Sequence, residues 1–226
     1  MGSDTAVMVV FDCDGVLVDS EVLACRVEAE LLREVGVAVT AQEVAARYVG
    51  LSDAEMRALI EDEWDCVLPP TLMNDKAERL IEVLEAELEA VDGIAEVVAA
   101  VGVPRCVASS SDPERIRRSL ELTGLSRFFG SHLFSASMVA RGKPAPDLFL
   151  LAAQEMHSHP HRCLVIEDST HGVAAGVAAG MTVIGFTAGR HCTAGLADRL
   201  IQHGAADVAD TSEALLALLA DRAVIH

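Results

Sequence analysis

Val9-Val10-Phe11-Asp12-Cys13-Asp14-Gly15-Val16-Leu17-Val18-Asp19-Ser20-Glu21 is the stretch from which the rest of this chain is read. An apolar, β-branched run from Val7 predicts a buried strand. Two acids at i and i+2, then Gly15, stand at its carboxyl end. In a strand that spacing puts both side chains on one side, and open α/β sheets bind ligands outside the carboxyl ends of their strands. Two carboxylates crowded there repel each other unless a cation sits between them. The arrangement asks for a metal, for acid/base chemistry, or for both. An isolated D-x-D-G reads better as an Asp-rich turn, so the remaining chain decides.

No second strand follows directly. Ser20 to about Val35 is helical in pattern and ends at Gly36; Thr40 to Tyr48 carries a capping-box signature, with Glu43 three residues after Thr40. Gly50-Leu51-Ser52 breaks the pattern, a third helix runs to Trp64, and Pro69-Pro70 interrupts again. Leu72 to Val91 places Leu80, Ile81, Leu84, Leu88 and Val91 on one face among many Glu. From Gly93 the pattern changes to alternation. Strands are predicted at 103–108, 132–134, 163–166, 181–186 and 206–208, with helices at 93–101, 113–122, 148–156, 171–179 and 212–219. The fold class is therefore α/β: a Rossmann-like parallel sheet with an inserted small all-α domain. The expected boundaries are 1–18 with 91–226 for the sheet domain and 19–90 for the insertion.

Composition narrows the partners. A formal net charge of −18 argues against nucleic acid or an anionic membrane as a standing partner. Six cysteines lie far apart without C-x-x-C, and Cys106 and Cys163 sit in strand-like runs as small hydrophobes. No disulfide framework or zinc site is implied, so the expected location is a reducing cytoplasm. No signal peptide or membrane span is expected; the apolar run Gly172–Gly189 is too punctuated by glycine.

Four places at the same sheet edge carry chemistry: Asp12/Asp14, Ser109/Ser110, Lys143 in a loop, and Glu167/Asp168. Hard oxygen ligands from Asp12 and Asp168 suit Mg²⁺. Asp12-Cys13-Asp14-Gly15-Val16, Ser109, Lys143-Pro144-Ala145-Pro146-Asp147 and Glu167-Asp168-Ser169 together resemble the four motifs of the haloacid dehalogenase superfamily. The helical insertion resembles the subgroup with a helical cap, which includes sugar-phosphate phosphatases and β-phosphoglucomutase. Phe11 to Gly15, Leu17 to Val22 and Arg26 are most similar to 6-phosphogluconate phosphatases.

The resemblance implies a Mg²⁺-dependent phosphatase acting on a small phosphorylated sugar or sugar acid. Asp12 would be the nucleophile and Asp14 the general acid and base. Ser109, Ser110 and Lys143 would bind the phosphoryl group, and Asp12, Asp14, Glu167 and Asp168 would hold the metal. Superfamily dehalogenases lack the second acid, so dehalogenation is not expected. A β-phosphoglucomutase-like isomerase is the alternative, and a non-catalytic phosphate-binding module a third. Against isomerisation, the mutase's cap His and Arg fall by motif alignment at Ala24 and Asp53. The cap is expected to hinge at Val16–Ser20 and near Val91–Gly93, with Gly50-Leu51-Ser52 its substrate loop, in a monomer or weak dimer.

Other signals read more plainly. His157-Ser158-His159-Pro160-His161 and His191 read as surface loop, and the small residues Gly172, Gly176 and Gly180 as allowing close helix-on-sheet approach. Arg26 reads as an ion pair with Glu30 at i+4, or else as a cap cation for the substrate.

Overall fold

The computed structural model describes residues 8–48 and 53–225. The chain divides into two compact units, one running up to Asp19 and resuming at Glu89, the other Ser20–Leu88. Val7 and the segment Gly50-Leu51-Ser52, expected to form the substrate loop, lie outside the described residues, as does the side chain of Asp53.

The helical unit holds α1 (Ser20–Glu34), α2 (Ala41–Arg47), α3 (Asp53–Trp64) and α4 (Leu72–Glu87). Leu32, Val44, Ile60, Leu80 and Leu84 meet in one buried core. The capping box forms: Thr40 Oγ1 accepts from Glu43 N at 3.2 Å while Glu43 Oε2 accepts from Thr40 N at 2.8 Å. Three expectations need correction. The fourth helix stops at Glu87 because Leu88 turns extended (ψ 126°). Ile81 is 63% exposed, since a neighbour of buried Leu80 points about 100° around the helix from it. Arg26 pairs in a bidentate fork with Glu87 on α4, 2.8 Å on each arm, rather than with Glu30. Arg47 pairs with Glu63.

The other unit holds six parallel strands, β1 (Met8–Phe11), β2 (Arg105–Ser109), β3 (Leu133–Ser135), β4 (Cys163–Glu167), β5 (Thr182–Phe186) and β6 (Asp207–Ala209), in the order β3-β2-β1-β4-β5-β6. Between them run α5 (Ile94–Ala100), α6 (Pro113–Leu122), α7 (Asp147–Glu155), α8 (Thr170–Ala178), α9 (Leu196–Gln202) and α10 (Ser212–Asp221). The sequence reading does not include α9. Strands covered on both faces carry unbroken apolar runs, as in Met8–Phe11 and Leu164–Ile166, all buried. On one face Val10, Ala108 and Val165 pack with Leu148 and Phe149 of α7 and Val173 of α8. Cys106 and Cys163 are buried within that same core. Among the described residues, no helix is long and apolar enough to cross a membrane.

This order reverses direction at β1. The chain first builds outward through β2 and β3, then returns to lay β4 on the other side. Such switch points leave a crevice beyond the strand ends, where ligands bind. The register aligns Phe11 with both Val107 and Ile166, so Asp12, Ala108 and Glu167 reach the edge at one level.

Candidate active site

Lys143 is the centre of the site. Its ammonium donates to Asp12 Oδ1 at 2.7 Å, Glu167 Oε1 at 2.6 Å and the Ala108 carbonyl at 3.0 Å, which uses all three of its N–H groups. The Phe149 ring lies 5.1 Å below it. Burial opposes the Lys143 charge, but the Asp12 and Glu167 carboxylates outweigh burial and hold its pKa above the ordinary lysine range. Burial also pushes the Asp12 carboxyl well up, against the pull of Lys143 and with the help of Glu167 and Asp168. Asp12 and Glu167 thus share one buried ammonium.

Asp12, Glu167 and Asp168 each offer an oxygen, all within 4.8 Å of one another and all buried. An all-carboxylate donor set of this size fits a hard divalent cation such as Mg²⁺. The three acids differ in what is already bound. Glu167 Oε1 takes Lys143, and Oε2 takes the backbone N–H and the hydroxyl of Ser169, at 3.0 and 2.9 Å. Asp12 accepts through Oδ1 only, and among the described residues Oδ2 accepts no hydrogen bond. Asp12 and Asp168 are therefore better placed than Glu167 to ligate directly.

Asp14 stands apart from this trio. β1 ends at Phe11, so the same-side rule for i and i+2 within a strand does not govern Asp12 and Asp14. Asp14 turns to the end of β2, where Ser111 Oγ donates to Oδ2 at 2.6 Å, Ser109 Oγ lies 3.4 Å from the same oxygen, and Arg115 reaches Oδ1 at 3.2 Å. Ser109 Oγ in turn accepts from Ser111 N at 3.0 Å. Ser110 is exposed at the strand edge.

His191 is not on the surface. Its ring is buried, with Nε2 2.9 Å from Asp168 Oδ2. Burial works against an imidazolium there, yet the hydrogen bond and charge of Asp168 push its pKa up to about 11. Gly15 makes the pair possible: a Cβ there would fall 1.9 Å from Asp168 Oδ2 and 2.8 Å from His191 Cε1, and φ is +80°. The fourth member of D-x-D-G is a glycine for clearance as well as for the turn.

Residues 8–180 match the haloacid dehalogenase-like hydrolase family. This chain belongs to that family. It is 32% identical over 185 residues to the 6-phosphogluconate phosphatase of Escherichia coli, spanning 81% of this chain and 83% of that one. Among solved structures, a haloacid dehalogenase-like protein of unknown function from Agrobacterium tumefaciens is 36% identical, with a TM-score of 0.92 over 96% of this chain and 99% of the other. A family hydrolase from Deinococcus radiodurans, solved with bound phosphate and sodium, is 35% identical, with a TM-score of 0.87 over 98% of each chain.

Within the family frame, the structure brings Asp12, Lys143, Glu167 and Asp168 into one cluster, with Asp14 and Ser109 forming a second hydrogen-bonded group. The residues missed from sequence are Ser111, Arg115 and His191. Ser111 and His191 lie just beyond the carboxyl ends of β2 and β5, a positional signal that was available for both. Arg115, one turn into a helix, offered none.

The helical glycines divide in role. Gly176 does allow close approach, since a Cβ there would meet Val183 Cγ2 at 2.6 Å. Gly172 instead makes room for Glu167: a Cβ would fall 1.8 Å from Oε1 and 1.9 Å from Cδ. Alanine normally favours a helix interior by about 1 kcal/mol over glycine. Gly172→Ala should nonetheless destabilise the fold by about 2–3 kcal/mol, because Glu167 must leave Lys143 or α8 must shift. Denaturant unfolding measures this, and a variant as stable as the parent would refute it.

Proposed function

We propose that this chain is a Mg²⁺-dependent phosphatase that hydrolyses a small phosphorylated sugar or sugar acid through an aspartyl-phosphate on Asp12. The observation that carries the reading is the single ammonium of Lys143 tying Asp12 to Glu167 beside Asp168, at the sheet's switch point. Family membership and a phosphatase relative support phosphoric monoester hydrolysis as the reaction, and the sugar-acid substrate in that relative's name supports the substrate class.

In this reading the Asp12 carboxylate attacks phosphorus while Lys143 holds Oδ1 and fixes the carboxylate's direction. Asp14 gives a proton to the departing sugar oxygen, then takes one from the water that attacks the phosphorylated Asp12. Two easier displacements replace one difficult one. Ser109 and the end of β2, with Ser110, orient the phosphoryl oxygens. Asp12, Asp168 and the Asp14 carbonyl would hold Mg²⁺, with Glu167 supporting through Lys143; when bound, the ion neutralises phosphoryl charge. The sheet unit supplies the chemistry.

The test is a panel of sugar phosphates with purified protein and Mg²⁺, read as inorganic phosphate. Release from at least one sugar or sugar-acid phosphate is expected, lost on chelation and supported poorly by Ca²⁺, whose longer bonds and higher coordination number suit this compact acid set badly. No release from any member, or full activity without metal, would sink the reading. With β-glucose 1-phosphate, free phosphate should outpace glucose 6-phosphate; the reverse would make the chain an isomerase.

A further inference from the structure

We propose that Arg115 is a positioning residue for Asp14, holding the acid/base carboxylate through Oδ1; this rests on the reading of Asp14 as general acid and base. Asp12 and Asp14 are two residues apart, yet their carboxylates have separate partners. Asp12 is held by Lys143, and Asp14 by a set from the other side: Arg115 on Oδ1, with Ser111 and Ser109 on Oδ2. Arg115 is itself fixed at its backbone. Asp112 caps α6 and accepts from both Glu114 N and Arg115 N at 3.0 Å, and Pro113 stands in the first turn. The guanidinium therefore projects from a rigid helix start onto a carboxylate that sits in the loop beyond β1. Both partners are largely withdrawn from water, with side-chain exposures of 31% for Arg115 and 14% for Asp14, so the contact is stronger than a surface pair.

The chemistry requires such a hold. As the bond from Asp12 oxygen to phosphorus forms and the phosphorus–sugar oxygen bond breaks, the Asp14 proton must pass to the departing oxygen. In the second step a water oxygen bonds to phosphorus, its proton returns to Asp14, and the phosphorus–Asp12 bond breaks. Both transfers need Asp14 within hydrogen-bond reach of an oxygen on the same side. A displacement of about 1 Å can cost on the order of 10²-fold in rate. The Asp14 backbone bridges to Val18 just before Gly15, and Arg115 and Ser111 hold the carboxylate at its end.

The experiment compares Arg115→Met and Arg115→Lys with the parent on simple aryl and alkyl phosphate monoesters of graded leaving-group acidity, all without a sugar. kcat/KM reports the first phosphorus–oxygen cleavage. p-Nitrophenolate departs without a proton and an alkoxide does not. Arg115→Met should lose about 10–100-fold on the alkyl esters, within the range general acid catalysis supplies, and no more than about threefold on p-nitrophenyl phosphate. Arg115→Lys, which keeps a cation, should recover part of the loss. In an Asp14→Asn background, Arg115→Met should cost less than about threefold further, as coupled residues do. Equal losses on aryl and alkyl esters, or full additivity with Asp14→Asn, would overturn the proposal by making Arg115 a structural or phosphate-binding residue. A parent chain that releases phosphate from neither these esters nor the sugar-phosphate panel would overturn the phosphatase reading and the Arg115 role with it.

Discussion

Asp12→Asn is expected to reduce phosphate release by at least about 10⁴-fold, the scale on which a covalent nucleophile's loss is felt, while leaving the protein folded. The amide cannot attack phosphorus, and in the proposed role of Asp12 it would withdraw one anionic ligand from Mg²⁺. Its carbonyl oxygen still accepts from Lys143, replacing the 2.7 Å contact that Asp12 Oδ1 makes. The substitution also removes one of three buried carboxylates crowded at the site, so the electrostatic strain of the cluster falls rather than rises. Unfolding temperature and circular dichroism should therefore stay near the parent's. Mass spectrometry should find a phosphoryl adduct on the peptide holding Asp12 in the parent, trapped at low pH, and none in the variant. A folded variant that keeps a tenth of parental turnover would refute the nucleophile assignment.

Lys143→Met should damage stability and catalysis together. The side chain is 5% exposed and Glu167 is wholly buried, so removal of the ammonium leaves Asp12 and Glu167 without their shared counter-charge. Stripping one partner from a buried ion pair costs about 3–5 kcal/mol, and here one cation serves two acids. Phosphate release should become undetectable. Added Mg²⁺ should restore part of the lost stability, because a divalent cation answers the same excess of negative charge. Lys143→Arg should not rescue. A planar guanidinium cannot aim three N–H groups at Asp12, Glu167 and the Ala108 carbonyl from the space an ammonium occupies. Denaturant melts with and without Mg²⁺ measure this, and a Lys143→Met chain as stable as the parent would count against a Lys143-centred site.

Much of this protein is legible in its primary structure, for reasons of short-range physics. The apolar runs at Met8–Phe11 and Cys163–Ile166 announce buried parallel strands, since a strand covered on both faces has no polar side to alternate with. Thr40 with Glu43 announces a helix start, because the capping box closes within four residues. Asp12, Lys143, Glu167 and Asp168 could be nominated because a parallel sheet collects its strand ends on one side. Tertiary structure alone decided how those residues divide the work. Lys143 saturates Glu167, whereas Arg115 and Ser111 claim Asp14, through contacts spanning 101 and 97 residues that no local pattern encodes. It also decided that His191 is buried on Asp168, and that Gly15 and Gly172 are empty so that two carboxylates can lie where they do. Periodicity reports which face of an element is covered, whereas hydrogen-bond partners and clearances of under 2 Å at Gly15 and Gly172 depend on where separate elements meet.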